Sequence, residues 1–329
     1  MRIILSLSFL FFFSESNAQF LNNQNIQNAY SHILNLEFSS AKKFLDIEKE
    51  INPNNGLIIL NENYIDFLKI LLSEEEVFFN NSKKKKYSRI YSLARKDKDS
   101  PYYLFAQAEV HLQWALARIK FKEYIQATYE LQKAYRLLDQ NTEKFPEFFL
   151  NKKSLGVLHI LIGSIPKSYS WITNIIGVKG TVSSGFSKLY SFLEFTENNV
   201  TYNVYKSEIL FLLSFLEMNM NNDTNAYQKL VLKIDDTYMQ SDLMKFCLSR
   251  LYIKLRNNEK SLEVLEYPSA NKDSFYFPYL DYLKGMSKLY NLDLPESKKY
   301  FKSFLDSFRG RNYIKSAYNK LAIIAFLNN

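Results

Sequence analysis

Four times along this chain a small side chain is followed twelve residues later by another small one, and four residues beyond that by a large apolar one. Ala29, Ala41 and Leu45 make the first set, with Phe38 between them and Pro53 closing it. Ala115, Ala127 and Leu131 make the second, joined by Tyr124 and Ala134. Ser249, Ser261 and Leu265 form the third; Gly285, Ser297 and Phe301, with Leu294 and Phe304, form the fourth. Apolar residues recur every three or four positions around each set, the period of an amphipathic helix. Small side chains let two helix backbones approach closely, and the large one fills the groove between them. The interval therefore predicts a helix, a short turn and a second helix packed back on the first. Turn formers are too scarce for a strand-rich alternative, with 8 Gly and 7 Pro in 329 residues. A hydrophobic share of 47%, with 27 Phe and 24 Tyr, excludes disorder as the main state.

The arrangement resembles the tetratricopeptide repeat, a helix–turn–helix unit of about 34 residues. Ser261 and Ser297 lie 36 apart, one such repeat plus a short insertion. The resemblance implies an all-α fold, a tetratricopeptide-like α-solenoid of antiparallel helix pairs, with about a dozen helices or more. The residues expected at its helix crossings are Ala29, Ala41, Ala115, Ala127, Ser249, Ser261, Gly285 and Ser297. Further helices are expected from Leu57, from Ser82, from Pro101 through Ile119, and over Phe148–Ile162, Ser184–Phe195, Tyr202–Met218 and Asn225–Ile234. The stretches Asn221–Thr224 and Asn271–Ser274 are polar loops that suit helix N-caps. Residues 19–154 and 187–329 then form the two halves of one continuous solenoid, with 155–186 set between them.

Residues 1–18 read as a secretory signal. Arg2 supplies the positive region, Ile3–Phe13 the apolar one, and Ser16-Asn17-Ala18 the small residues of a cleavage site after Ala18. The expected location is outside the cytoplasm, in the periplasm or cell envelope. Cys247 is the one cysteine, so no internal disulfide can form, and its apolar helical setting makes it a core residue.

Five of the eight glycines, Gly156, Gly163, Gly177, Gly180 and Gly185, fall between Leu155 and Phe186. Because glycine within a helix costs about 1 kcal/mol relative to alanine, the clustering points to turns or close backbone contact. Together with Pro166 these glycines are expected to shape a helical hairpin. Gly163 and Pro166 break the apolar stretch Leu155–Val178 into pieces too short to cross a bilayer. Two placements follow. The hairpin either packs against neighbouring repeats or lies at a membrane interface, with Trp171 and Tyr169 at headgroup depth and Lys167 snorkelling. Gly156, Ser164-Ile165-Pro166, Gly177, Gly180 and Gly185 resemble a motif of the inclusion-body-clearance and outer-mitochondrial-membrane group of tetratricopeptide proteins. There an apolar helix ending in a proline turn precedes a Gly-Phe-x-Gly segment. Here Gly177-Val178-Lys179-Gly180 carries Val for Phe, and Thr181-Val182 stands where that group has Asp-Arg. The whole chain is also similar to exported, Bacteroidota-like tetratricopeptide proteins of AT-rich Gram-negative bacteria. These resemblances imply a non-enzymatic adaptor without catalytic residues.

The net charge of +8 comes mostly from Lys in an Asn-, Ile- and Tyr-rich chain, the output of AT-rich coding, and predicts no nucleic-acid partner. Lys83, Lys84, Lys85 and Lys86, followed by Arg89, Arg95, Lys96 and Lys98, form the strongest basic run, with Tyr87 and Tyr91 beside it. Four consecutive lysines splay around a helix, and an anionic lipid headgroup is the ligand they suit. His32, His111 and His159 lack metal-site spacing, and His159 reads as a core residue. Glu74-Glu75-Glu76 reads as solvated surface at a helix end. No phosphate loop or nucleophile elbow is present, and no cofactor or metal is expected. The function these features predict is an exported, non-enzymatic interaction scaffold that takes an unidentified protein or peptide on its concave side through Tyr- and Asn-rich faces. The alternative is a peripheral membrane protein docking through 155–186 and Lys83–Lys86, with Lys167 and Trp171 at the contact. Ile314, Ala317, Tyr318, Leu321, Ala322, Ile324, Ala325 and Phe326 make the last helix apolar around most of its girth, which predicts self-association there.

Overall fold

The computed structural model describes residues 19–166, 168, 177, 180–234, 241–268 and 274–328. The predicted signal segment 1–18, together with Lys167, Tyr169, Trp171, Val178 and Lys179, lies outside the described residues. The described chain is all-α, a tetratricopeptide-like solenoid of antiparallel helix pairs. Its helices are α1 (Gln24–Leu34), α2 (Phe38–Ile51), α3 (Gly56–Ser73), α4 (Glu76–Leu93), α5 (Tyr102–Lys120), α6 (Tyr124–Lys144) and α7 (Leu150–Gly163). They continue as α8 (Val182–Asn198), α9 (Lys206–Leu216), α10 (Thr224–Lys233), α11 (Asp242–Lys254), α12 (Asn258–Glu266), α13 (Tyr279–Tyr290), α14 (Leu294–Ser307) and α15 (Ile314–Leu327). A 3-10 turn, Val200–Tyr205, leads into α9, and a π turn, Glu217–Asn221, ends it. None of these helices is long and apolar enough to cross a membrane.

The twelve-residue interval marks the crossings of α1/α2, α5/α6, α11/α12 and α13/α14. Ala29, Ala41, Ala115 and Ala127 are buried where their helices meet. Ser249 and Ser261 share a hydrogen bond of 2.8 Å, and the Ser297 hydroxyl donates to the Gly285 carbonyl at 2.8 Å. A Cβ on Gly285 would stand 2.9 Å from the Phe301 ring, so glycine makes room for that phenylalanine.

The turns of these pairs repeat as well. Seven residues after each first small residue stands a non-glycine with left-handed backbone: Leu36 (φ 61), Lys122 (φ 64), Arg256 (φ 59) and Leu292 (φ 59). The next amide, of Glu37, Glu123, Asn257 or Asp293, donates 2.9 Å back to a carbonyl five residues earlier. This six-to-one closure satisfies helix-end carbonyls, and the left-handed residue turns the chain into the second helix. Polar side chains start several helices: Asn23 caps α1, Asn55 caps α3, Asp223 caps α10 and Asn257 caps α12.

The solenoid coils until its ends meet. One apolar core joins Phe20 through Leu93 to Leu243, Phe246, Tyr279, Phe301, Phe304 and Ile324, while a second fills the span from Phe105 to Val264. Backbone links seal the closure, with the Phe275 amide donating to the Leu36 carbonyl at 2.8 Å. Glu74 is part of this seal, which corrects its reading as solvated surface. It is buried, receives the ammonium of Lys120 at 2.6 Å and accepts from Tyr279 and from the amides of Arg311 and Asn312. A carboxylate at a helix end looks solvent-bound in sequence because Lys120 lies 46 residues on and its other partners, Tyr279, Arg311 and Asn312, more than 200.

Candidate functional site

The inward faces of α1, α3, α5, α7 and α9 converge on a polar centre. Glu208, at the start of α9, accepts from the hydroxyls of Tyr30 in α1 and Tyr64 in α3, the latter at 2.5 Å. Lys153 of α7 donates to both Glu208 oxygens at 3.0 and 2.8 Å and to Glu109 of α5 at 3.3 Å. Ser154 donates to the other Glu109 oxygen. Tyr205 adds a ring 5.2 Å from that of Tyr30, and its hydroxyl accepts from Asn22 at 3.3 Å. Tyr30, Tyr64, Glu109, Lys153 and Tyr205, with Asn61, Gln113 and Tyr102, line a cavity of about 40 Å³, space for a few water molecules.

The electrostatics favour a fixed network over a reactive one. Burial alone would push the Lys153 ammonium down, but Glu109 and Glu208 outweigh it and hold its pKa above the usual lysine range. A lysine held charged has no free lone pair for nucleophilic attack. Burial, and then Glu208, push the hydroxyls of Tyr30 and Tyr64 well above their ordinary values, so both remain donors. The Tyr- and Asn-rich inner faces predicted to grip a partner therefore bind one another across the superhelix. Spacing could not reveal this centre, because its residues come from five helices and the segments between them, with bonded partners up to 183 positions apart.

A second network ties α4 to α5 and α6. Lys86 is buried and pairs with Glu130, which also meets His111 at 2.6 Å. Burial raises the Glu130 carboxyl, yet His111 and Lys86 hold it below its ordinary range. Lys83 and Arg118 share Glu123, while Lys85 and Arg89 share Asp66. The basic run Lys83–Lys86 is thus largely internal wiring, and Lys84 is its exposed member without an ion-pair partner among the described residues.

The outer sides of α4 and α6 are different. Tyr87 and Tyr91 on α4, and Tyr124, Ile125 and Tyr129 on α6, are each more than half exposed. The Lys86–Glu130 and Lys83–Glu123 ion pairs tie α4 to α6 and to the turn before it. Lys84, Lys122, Lys133 and Arg136 are exposed on the same two helices and the turn before α6.

The glycine-rich stretch bridges α7 and α8, and both Leu155 and Phe186 lie inside those helices. A Cβ on Gly185 would stand 2.6 Å from the Gly156 carbonyl oxygen, and one on Gly163 would stand 2.6 Å from the Val182 nitrogen. A Cβ on Gly180 would come within 2.8 Å of the His159 Cα. Gly177 has φ 71, and a Cβ there would meet no described atom within 4 Å; Pro166 is exposed. His159 is half-buried, bonded to Ser184 at 2.9 Å and stacked on Tyr135. Cys247 is buried among apolar residues, and burial pushes its thiol to about 12. Among the described residues no cluster of three or more His, Cys, Asp or Glu side chains is placed to hold a metal ion.

No family model and no curated protein matches the chain. Among solved structures it is similar to a tetratricopeptide repeat protein from Parabacteroides merdae ATCC 43184, at 16% identity and a TM-score of 0.40. That likeness covers 92% of this chain and 97% of the other.

Proposed function

We propose that the protein is an exported, non-enzymatic protein-interaction scaffold whose partner docks on the outer face of α4 and α6. The observation that carries this reading is the exposed row of Tyr87, Tyr91, Tyr124, Ile125 and Tyr129 beside unpaired cations. Tyrosine and arginine dominate the energetics of protein interfaces, because each combines a large contact surface with a polar tip. The inner faces are less suited to a partner, since Tyr30, Tyr64, Lys153 and Glu208 already satisfy one another there. Export rests on residues 1–18 and their cleavage site after Ala18.

A photoreactive phenylalanine analogue at position 87 or 129, in cells making the protein, tests the scaffold reading. One defined protein adduct at both positions is expected, and absence of any adduct at either would defeat it. The same cells test export: the protein should fractionate with the envelope and begin at Gln19. Flotation of the purified mature protein with anionic liposomes tests the competing membrane role, and flotation lost on Trp171→Ala would favour it.

A further inference from the structure

We infer that the α4–α6 face recognises an acidic segment of a partner protein; this rests on the scaffold reading above and adds the chemistry of its partner. The charge distribution is lopsided. From Val77 to Leu93, α4 contains no carboxylate, and from Tyr124 to Leu138, α6 contains only Glu130. Glu130 is buried against Lys86 and His111, and Glu123 in the preceding turn is held by Lys83 and Arg118. Glu130 is therefore spent inside the protein and Glu123 on two cations, leaving Asp139 and Glu143 to the last turns of α6, while Lys84, Lys122, Lys133 and Arg136 are exposed with no ion pair among the described residues. A face with its anions turned inward and its cations turned outward carries an uncompensated positive potential.

The aromatic side chains decide which anion suits it. The Arg95 guanidinium lies 4.1 Å from the centre of the Tyr91 ring, and the Lys86 ammonium 4.8 Å from that of Tyr87. Each ring thus has one face covered by a cation of this chain, which hinders stacking of successive nucleic-acid bases. Val77 on α4 and Ile125 on α6 are the aliphatic residues more than half exposed on these two helices, and two such side chains give little apolar area to sink into a bilayer. Exposed tyrosine hydroxyls and unpaired ammonium and guanidinium groups do match carboxylates with intervening apolar side chains. From Tyr124 to Arg136 the face runs about 18 Å along α6, the reach of about five or six extended residues. Glutamates or aspartates alternating with tyrosine or leucine would place both kinds of group against it.

The test uses the mature protein and a fluorescent twelve-residue peptide in which Glu and Asp alternate with Tyr and Leu, beside a counterpart with Lys at every acidic position. Fluorescence anisotropy should show saturable binding of the acidic peptide and none of the basic one. Binding should weaken at least tenfold in Lys84→Glu/Lys133→Glu/Arg136→Glu and again when salt rises from about 50 to 300 mM. Circular dichroism and thermal unfolding verify that the variant is folded, as exposed substitutions allow. No saturable binding, or equal binding by the folded variant, overturns the inference. So does displacement of the acidic peptide by oligo-dT or by phosphatidylglycerol vesicles at lower concentration. Photocrosslinking that persists in the charge-reversal variant would overturn the acidic partner while leaving the scaffold intact. Loss of crosslinking at both positions in the native chain would remove the scaffold as well.

Discussion

The hydroxyl of Tyr279 donates to the carboxylate of Glu74, a contact across 205 residues that fastens the C-terminal pairs onto α3 and α4. Lys120, the amides of Arg311 and Asn312, and the Asn312 side chain complete the coordination of that carboxylate. Burial works against the charged form, but Lys120 and Tyr279 outweigh it and keep the carboxyl below its ordinary 4.5. Glu48, bonded by Asn55 and Asn23, and Glu130 are shifted in the same direction.

Protonation of these three carboxylates therefore favours the unfolded chain. Their contribution to stability is fully present above the ordinary carboxylate range and is lost as pH falls below about 4.5 through the depressed folded values. Glu74→Gln keeps the shape but removes the charge facing Lys120, and should cost about 1–3 kcal/mol at pH 7. The cost should shrink at an acid pH well below the ordinary 4.5, where the native carboxylate takes up its proton. Urea unfolding at the two pH values checks this; an equal deficit at both would show that Glu74 does not act through its charge.

Among the described residues, Lys153 is the cation that pairs with both Glu109 and Glu208 in the polar centre. Lys153→Met leaves two buried carboxylates without it and should destabilise by about 3–5 kcal/mol. Adding Glu208→Gln should recover part of that loss, because less uncompensated charge then remains. A thermal-unfolding double-mutant cycle measures the coupling; strictly additive effects would contradict the network.

Gly156 and Gly185 lie inside helices, where glycine-to-alanine exchange ordinarily gains about 1 kcal/mol. Here the added Cβ atoms would meet Leu189 at 2.6 Å and the Gly156 carbonyl oxygen at 2.6 Å. The sign should reverse, with each alanine costing about 1–3 kcal/mol. Stabilisation of either variant in denaturant melts would mean that α7 and α8 do not approach this closely.

The helix pairs were legible in sequence because one local rule, small residues twelve apart, fixes the crossing. Gly285 and Phe301 illustrate it: the missing side chain of one makes the space for the other. The turns were not legible, because Leu36, Lys122, Arg256 and Leu292 have left-handed backbones without the glycine that would announce them. The start of α4 at Glu76, six residues before Ser82, was also hidden, since Glu75 makes no side-chain cap. The polar centre and the Glu74 seal have no local pattern at all. They depend on how far the solenoid coils, which Tyr30 and Glu208 reveal only once they meet.

Those left-handed turns carry a correctable strain. A non-glycine residue there costs about 1–2 kcal/mol, part of which glycine relieves at the expense of a more flexible unfolded chain. Lys122→Gly and Arg256→Gly remove exposed side chains. Each should raise stability by about 0.5–1 kcal/mol, and the pair additively, because the turns are far apart. Unchanged or lowered urea midpoints would argue against strain at these positions.

The C-terminal helix supplies the last prediction. Ala317 and Ile324 bury one side of α15, while Tyr318, Ile323, Phe326 and Leu327 stand exposed on the rest, Phe326 at 80%. Every earlier first helix, such as α13 beneath α14, is covered by the second helix of its pair, whereas no described element covers this side of α15. Two copies could supply the missing cover by laying their α15 helices antiparallel, an isologous contact that closes as a dimer. The mature protein should then run as a concentration-dependent dimer in light scattering at micromolar concentration. Tyr318→Asp/Phe326→Asp should return it to a folded monomer, since placing charge in an apolar contact opposes association. A monomer throughout the micromolar range, or a dimer indifferent to both substitutions, would rule out this face as the contact.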